Sequence, residues 1–227
     1  MGVLRKSIAV LVAAVLLSGC DPGKDEQPVV QVSKKQVQGI IIALGDSLTA
    51  GLGVDPEKNY PAQLQKRLEA EGYSYRVVNA GVSGETSSGT LSRLNWILSQ
   101  NPDIIILETG ANDGLRGIDT TLVEKNLKDI LQILKEKGVV AVLTGMQMVR
   151  NLGEGYTIKF NQMYPRIAKE TEVIFMPFFL EGVAAVQTLN NADGIHPNEE
   201  GYKRITENIL PYVVKAIEKH KSLDRVE

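Results

Sequence analysis

Ile40-Ile41-Ile42-Ala43-Leu44 is a run of five apolar residues, and Gly45-Asp46-Ser47-Leu48-Thr49-Ala50-Gly51 follows it directly. A short apolar run bounded by glycine suits a strand buried on both faces, as parallel sheets require. Four comparable runs lie downstream, at 75–79, 103–107, 139–144 and 173–175. Segments with helical spacing separate them. Leu64 and Leu68 stand four apart within 60–70, and Leu127, Leu131 and Leu134 share a face within 120–137. The stretches 156–170 and 199–219 are further helices by the same criterion. Strand and helix alternate, so the chain reads as α/β with a five-stranded parallel sheet covered on both faces. There is no internal repeat and no second composition regime, and one domain over 39–220 is the economical reading.

The chain of 227 residues is long enough for one such domain with a sizeable core. Its formal net charge is −2, so it lacks the basic surplus of a nucleic-acid binder. The first residues stand apart in composition. Arg5 and Lys6 precede ten uninterrupted apolar residues, 8–17, and then Leu17-Ser18-Gly19-Cys20. Ten apolar residues are too few to span a bilayer as a helix, which needs about 20. Residues 1–19 therefore read as a signal peptide. The four residues ending in Cys20 resemble a bacterial lipobox, which implies cleavage before Cys20 and attachment of acyl chains to it. Cys20 is the chain's only cysteine, so the domain uses no internal disulfide. Residues 20–38 carry Pro22, Gly23 and Pro28 among polar residues and read as a flexible tether. Residues 221–227 read as a polar tail. The expected location is the periplasmic side of a cell envelope, with the protein held on one of its membranes through Cys20.

In open parallel sheets, ligands bind beyond the carboxyl ends of the strands. Ser47 stands there after the first run. Alone, Gly45-Asp46-Ser47 equally suits a helix cap. After the second run comes Gly81-Val82-Ser83-Gly84-Glu85-Thr86, a loop whose glycines let backbone approach a ligand. After the third comes Gly110-Ala111-Asn112-Asp113-Gly114, where Asn112 can aim an amide donor at the same mouth or simply form a turn. Near the C-terminus stands Asp193-Gly194-Ile195-His196-Pro197. A serine hydroxyl needs a base, and neutral imidazole near pH 7 suits the task. A carboxylate three residues away can fix its tautomer. The second histidine, His220, lies between Lys219 and Lys221 and reads as a surface residue.

Taken together, these segments resemble the GDSL, or SGNH, hydrolase superfamily. Its Ser, Gly, Asn and His markers fall on Ser47, Gly84, Asn112 and His196, and Asp193 completes a triad. Within it the chain is similar to the bacterial thioesterase I/protease I/lysophospholipase subgroup, with arylesterase-like members. Supporting stretches include Asn79-Ala80, Gly84-Glu85-Thr86, 112–117, 164–170, Pro177-Phe178-Phe179 and Asp193–Pro197. Ala111 departs from the glycine common there. The resemblance covers 39–215 and implies a three-layer α/β/α fold with a flavodoxin-like sheet. It also implies an acyl-enzyme on Ser47 and an oxyanion hole from the N–H groups of Ser47 and Gly84 and the Asn112 amide. No metal or cofactor is expected, since no Cys/His cluster exists. The expected substrate is a small acyl ester, thioester or lysophospholipid, and the expected state is a monomer. A carbohydrate O-deacetylase of the same superfamily and a non-catalytic binding lipoprotein are the alternatives. The segment 147–156, with Met148, Val149 and Leu152, reads equally as a mobile wall of the acyl pocket or as a plain surface loop.

Overall fold

In a computed structural model, residues 37–148 and 152–223 are described. The expected signal peptide, Cys20 and nearly all of the tether lie outside them, as do Val149 and residues 224–227 of the tail. The apolar runs become five strands: β1 Gly39–Gly45, β2 Tyr75–Gly81, β3 Ile104–Leu107, β4 Val140–Thr144 and β5 Ile174–Met176. All pairings are parallel, in the order β2-β1-β3-β4-β5. β3 is wholly buried, and so is β1 from Ile41 onward. This is why both read as unbroken apolar runs rather than as alternation.

Among the described residues, eight α-helices connect and cover the strands: α1 Ser47–Ala50, α2 Tyr60–Ala70, α3 Ser87–Ser92, α4 Leu94–Leu98, α5 Ala111–Leu115, α6 Thr120–Glu136, α7 Glu154–Thr171 and α8 Glu199–Leu223. α2 packs against α8, while α6 packs against α3 and α7. Two helical layers therefore enclose the sheet, with Leu64 and Leu68 buried from one and Leu127, Leu131 and Leu134 from the other. The strand order puts a topological switch at β1. The chain leaves β1 for β2 on one side and returns to β3 on the other, opening a crevice between their carboxyl ends.

Three differences from the sequence reading stand out. The stretch Ser87–Leu98 lacks a helical period long enough to recognise, yet it folds as α3 and α4 with Leu94 and Ile97 buried. His220 is not on the surface: it is only 8% exposed. Its Nδ1 lies 2.9 Å from the Tyr75 hydroxyl, and its Nε2 pairs with Asp103 Oδ1 at 3.3 Å. α8 continues past Pro211 to Leu223, three residues beyond the expected domain end. His220 follows Val213, Ala216 and Ile217 on the buried stripe, which the flanking lysines hide from a reading by composition.

His220 sits at the base of the sheet, where β2 begins, far from the carboxyl ends. His220→Ala should lower stability by about 1–3 kcal/mol in urea unfolding, through loss of the Tyr75 and Asp103 partnerships. The kcat of the folded fraction should stay at the wild-type value.

Candidate active site

β1 delivers its last residues to the crevice. A Cβ on Gly45 would meet Thr49 Oγ1 at 2.2 Å and the Glu108 carbonyl oxygen at 2.5 Å, so the turn into α1 closes only with glycine there. Asp46 caps α1, its Oδ1 accepting the Leu48 N–H at 2.9 Å. Ser47 opens α1, so the capping role belongs to its neighbour and its hydroxyl is free for chemistry. Ser47 Oγ lies 2.9 Å from His196 Nε2.

His196 comes from the loop before α8, where Asn190 and Pro197 form an antiparallel bridge and Asn191 N–H donates to the His196 carbonyl. Its Nδ1 lies 2.7 Å from Asp193 Oδ2. Asp193 Oδ1 accepts the backbone N–H groups of Ile195 and His196, each at 3.0 Å. These backbone donors, and then the imidazole, pull the exposed Asp193 carboxyl down to about 2. Asp193 is thus ionised at any working pH and can only accept. Nδ1 therefore carries the ring proton, and Nε2 faces Ser47 as an acceptor.

Two loops complete the mouth. Asn112 stands in the first turn of α5, after Gly110 with φ +106°. A Cβ on Gly110 would meet the Tyr164 hydroxyl at 2.1 Å. One N–H of the Asn112 amide donates to Asp46 Oδ2 at 3.0 Å, and the amide has a second. The Gly84 loop is tied from below by Arg93. Its guanidinium meets both Glu85 oxygens at 2.7 Å and also donates to the Ala80 and Gly45 carbonyls. Arg116 donates to the Gly84 carbonyl at 2.8 Å.

The structure thus brings together all five residues singled out from the sequence. Ser47, Gly84, Asn112 and His196 line one cavity of about 470 Å³, and Asp193 stands behind the imidazole. The remaining wall is largely apolar and includes Leu48, Leu52, Leu115, Met146, Met148, Phe178, Leu180 and Ile195. Gln147 and Met148 of the segment 147–156 line the cavity, and residues 149–151 lie outside the described residues. Such an arrangement can activate a hydroxyl, hold an oxyanion and shelter an apolar chain.

Sequence reasoning missed three groups. Arg93 carries no local signal, because its acceptors are scattered along the chain. The apolar wall comes from five separate segments. The third group is the Asp46–Glu108 pair. Glu108 is fully buried, and its Oε2 accepts the Asp46 N–H at 3.2 Å and the Thr49 hydroxyl at 2.8 Å. A carboxylate directly after the apolar run 103–107 was the available clue, since acids are almost never fully buried without a reason. Burial first, and then the charge of Asp46 beside it, hold the Glu108 carboxyl well above the usual carboxylate range. Burial raises Asp46 to about 6 against the hydrogen bonds from Leu48 and Asn112.

Comparison with known proteins gives a consistent result. The model of the GDSL-like lipase/acylhydrolase family matches residues 43–204. Esterase TesA of Pseudomonas aeruginosa is 40% identical over 199 residues, spanning 87% of this chain and 96% of its own. Thioesterase 1/protease 1/lysophospholipase L1 of Escherichia coli is 37% identical over 161 residues, spanning 70% of this chain and 76% of its own. The crystal structure of TesA matches with a TM-score of 0.75 at 40% identity, over 78% of this chain and 99% of that one.

The Arg93–Glu85 pair is mostly buried, with side-chain exposures of 18% and 8%. Arg93→Met strands a buried carboxylate, so unfolding in urea should show a loss of about 3–5 kcal/mol. The double variant Arg93→Met/Glu85→Met should recover part of that loss while kcat stays low, because the Gly84 loop has lost its tie to Ala80 and Gly45.

Proposed function

The chain belongs to the GDSL-like lipase/acylhydrolase family, and we propose that it hydrolyses fatty acyl esters and lysophospholipids through an acyl-enzyme on Ser47. That it is a serine esterase follows from the family and from the esterases to which it is similar. The observation that carries the roles is the hydrogen-bonded series Ser47 Oγ–His196–Asp193, at 2.9 and 2.7 Å, beside the cavity.

In this reading Ser47 Oγ attacks the acyl carbonyl while His196 Nε2 takes its proton. The oxygen of the tetrahedral adduct turns toward the N–H groups of Ser47 and Gly84 and the second N–H of Asn112. His196 then gives the proton to the departing alcohol or thiol. Water enters, loses a proton to His196 and releases the acid from Ser47. Asp193 keeps the imidazole in the required tautomer and stabilises its cation. The apolar wall supports an acyl chain longer than acetate as the group transferred.

The leader supports the location. With Cys20 carrying acyl chains, the domain acts as a monomer on the periplasmic face of the envelope, beside bilayer lipids and away from cytosolic thioesters. Several acyl chains anchor stably where one is marginal. Lysophospholipid and fatty esters are then the substrates within reach. Cys20→Ala should move the protein from the membrane fraction to the soluble one, and mass spectrometry of the mature N-terminus should lose the acyl masses.

For the chemistry, Ser47→Ala should abolish turnover and fluorophosphonate labelling. Asn112→Ala should lower kcat by about 10²–10³ with a smaller effect on KM. A panel of p-nitrophenyl esters, palmitoyl-CoA and lysophosphatidylcholine decides the substrate class. Rates should persist well beyond acetate, whereas a carbohydrate O-deacetylase would stop there. Full turnover in Ser47→Ala would sink the mechanism.

A further inference from the structure

The mechanism above uses Ser47, His196, Asp193 and three oxyanion donors, and leaves a buried pair of acids without a role. Asp46 and Glu108 lie directly behind the nucleophile, at the carboxyl ends of β1 and β3. Both are without exposed surface. Evolving a structure around two adjacent buried carboxyls works against folding, so a merely architectural purpose is a poor explanation. Their hydrogen bonds point elsewhere. Asp46 grips the Asn112 amide with Oδ2 and the first turn of α1 with Oδ1. Glu108 grips Asp46 by its backbone N–H and α1 again through the Thr49 hydroxyl. Glu108 Oε1 is buried and has no hydrogen-bond partner among the described residues.

We infer that Glu108 is a positioning residue for the oxyanion side of the site: by accepting the Asp46 N–H and the Thr49 hydroxyl it keeps the Asp46 carboxylate turned onto the Asn112 amide. This rests on the ester-hydrolase reading of the site. The charge logic is simple. With Glu108 neutral, the pair carries a single negative charge, located on Asp46. That charge fixes one N–H of Asn112 and leaves the other aimed at the mouth. If Glu108 also ionises, two like charges confront each other in a buried space. Asp46 then turns from its partners, and Asn112 loses the bond that orients it. Asn112 acts on the oxyanion; Glu108 acts only through Asp46.

The other groups facing the pair do not titrate in its place. Tyr60 from α2, Tyr164 from α7 and Tyr202 from α8 surround it, and burial raises all three hydroxyls, with Glu108 and Asp46 adding to the effect. They stay neutral through the working range. His196 is the remaining neighbour, acting on Asp46 by its charge. The pair should therefore show itself on the alkaline side. Burial makes Glu108 bind its proton more tightly than an ordinary acid, so its ionisation comes above the usual carboxylate range.

The test uses the full chain and a soluble p-nitrophenyl ester, with kcat expressed per Ser47 titrated by a fluorophosphonate. Glu108→Ala removes the acceptor and should lower kcat about 10- to 100-fold with KM nearly unchanged, short of the loss on removing an oxyanion donor outright. Glu108→Gln keeps a neutral acceptor and should restore kcat to within about threefold of wild type. Wild type should lose kcat at alkaline pH as Glu108 ionises, and Glu108→Gln should lose that limb. Wild-type kcat in Glu108→Ala would overturn the inference. So would identical alkaline profiles for wild type and Glu108→Gln, a comparison that decides the matter even if Glu108→Ala does not fold. Failure of the underlying reading looks different: Ser47 would then escape the fluorophosphonate, or Ser47→Ala would turn over.

Discussion

The parallel pairing of β1 with β3 is the constraint on which the site depends. Ile41 to Leu44 lie in register with Ile104 to Leu107, and the ladder continues with Glu108 N–H donating to the Leu44 carbonyl. That register sets Asp46 beside Glu108 and Ser47 beside the turn that carries Asn112. A slip of one residue would turn every side chain of one strand to the opposite face. The wholly buried isoleucines make such a slip costly, so apolar packing in the middle of the sheet fixes polar geometry at its end. The remaining partners then need only short loops. Arg93 secures the Gly84 loop to the same strand ends, and the Asn190–Pro197 bridge secures His196.

Two aspartates in one site live in opposite surroundings. Asp193 is exposed, accepts two backbone N–H groups and is held near 2. Asp46 is buried and is raised to about 6. Asp193 is a permanent anion that orients a base. Asp46 is an anion only because its own hydrogen bonds offset part of the burial, and at neutral pH its ionisation opposes folding by on the order of 3 kcal/mol. The sign follows from the raised value: the folded chain holds that proton more tightly than the unfolded one, so stability falls as pH rises through the interval. The same fold thus carries one carboxylate that is free of strain and one that is kept for what it positions.

Much of this is written along the chain. All five strands follow from short apolar runs, and the four long helices from apolar residues at helical spacing, because a helix buries one stripe and β1 and β3 are buried almost throughout. Ser47 and Asn112 are recognisable because they follow apolar runs, and His196 because Asp193 stands three residues before it. What escapes is non-periodic or long-range. α3 and α4 are too short to show a period. Glu108 looks like the polar end of a strand until its depth is known. Arg93 finds the Gly45 carbonyl 48 positions away. His220 is the instructive misreading: its neighbours Lys219 and Lys221 project outward while the helical stripe carries it inward, so spacing outranks immediate context.

That buried histidine has a consequence of another kind. Gly39 pairs with Tyr75, and Tyr75 meets His220 one turn before α8 ends. The first strand and the last helix therefore begin and end at the same pole. Ser47 stands at the other, just past the seven residues, or about 23 Å, of β1. A unit whose two ends emerge side by side, away from its working face, is easily spliced. It can be hung from a leader, followed by another module, or lodged within a host chain, and its mouth stays unobstructed. The staple that closes the base of the sheet also makes this catalytic body portable.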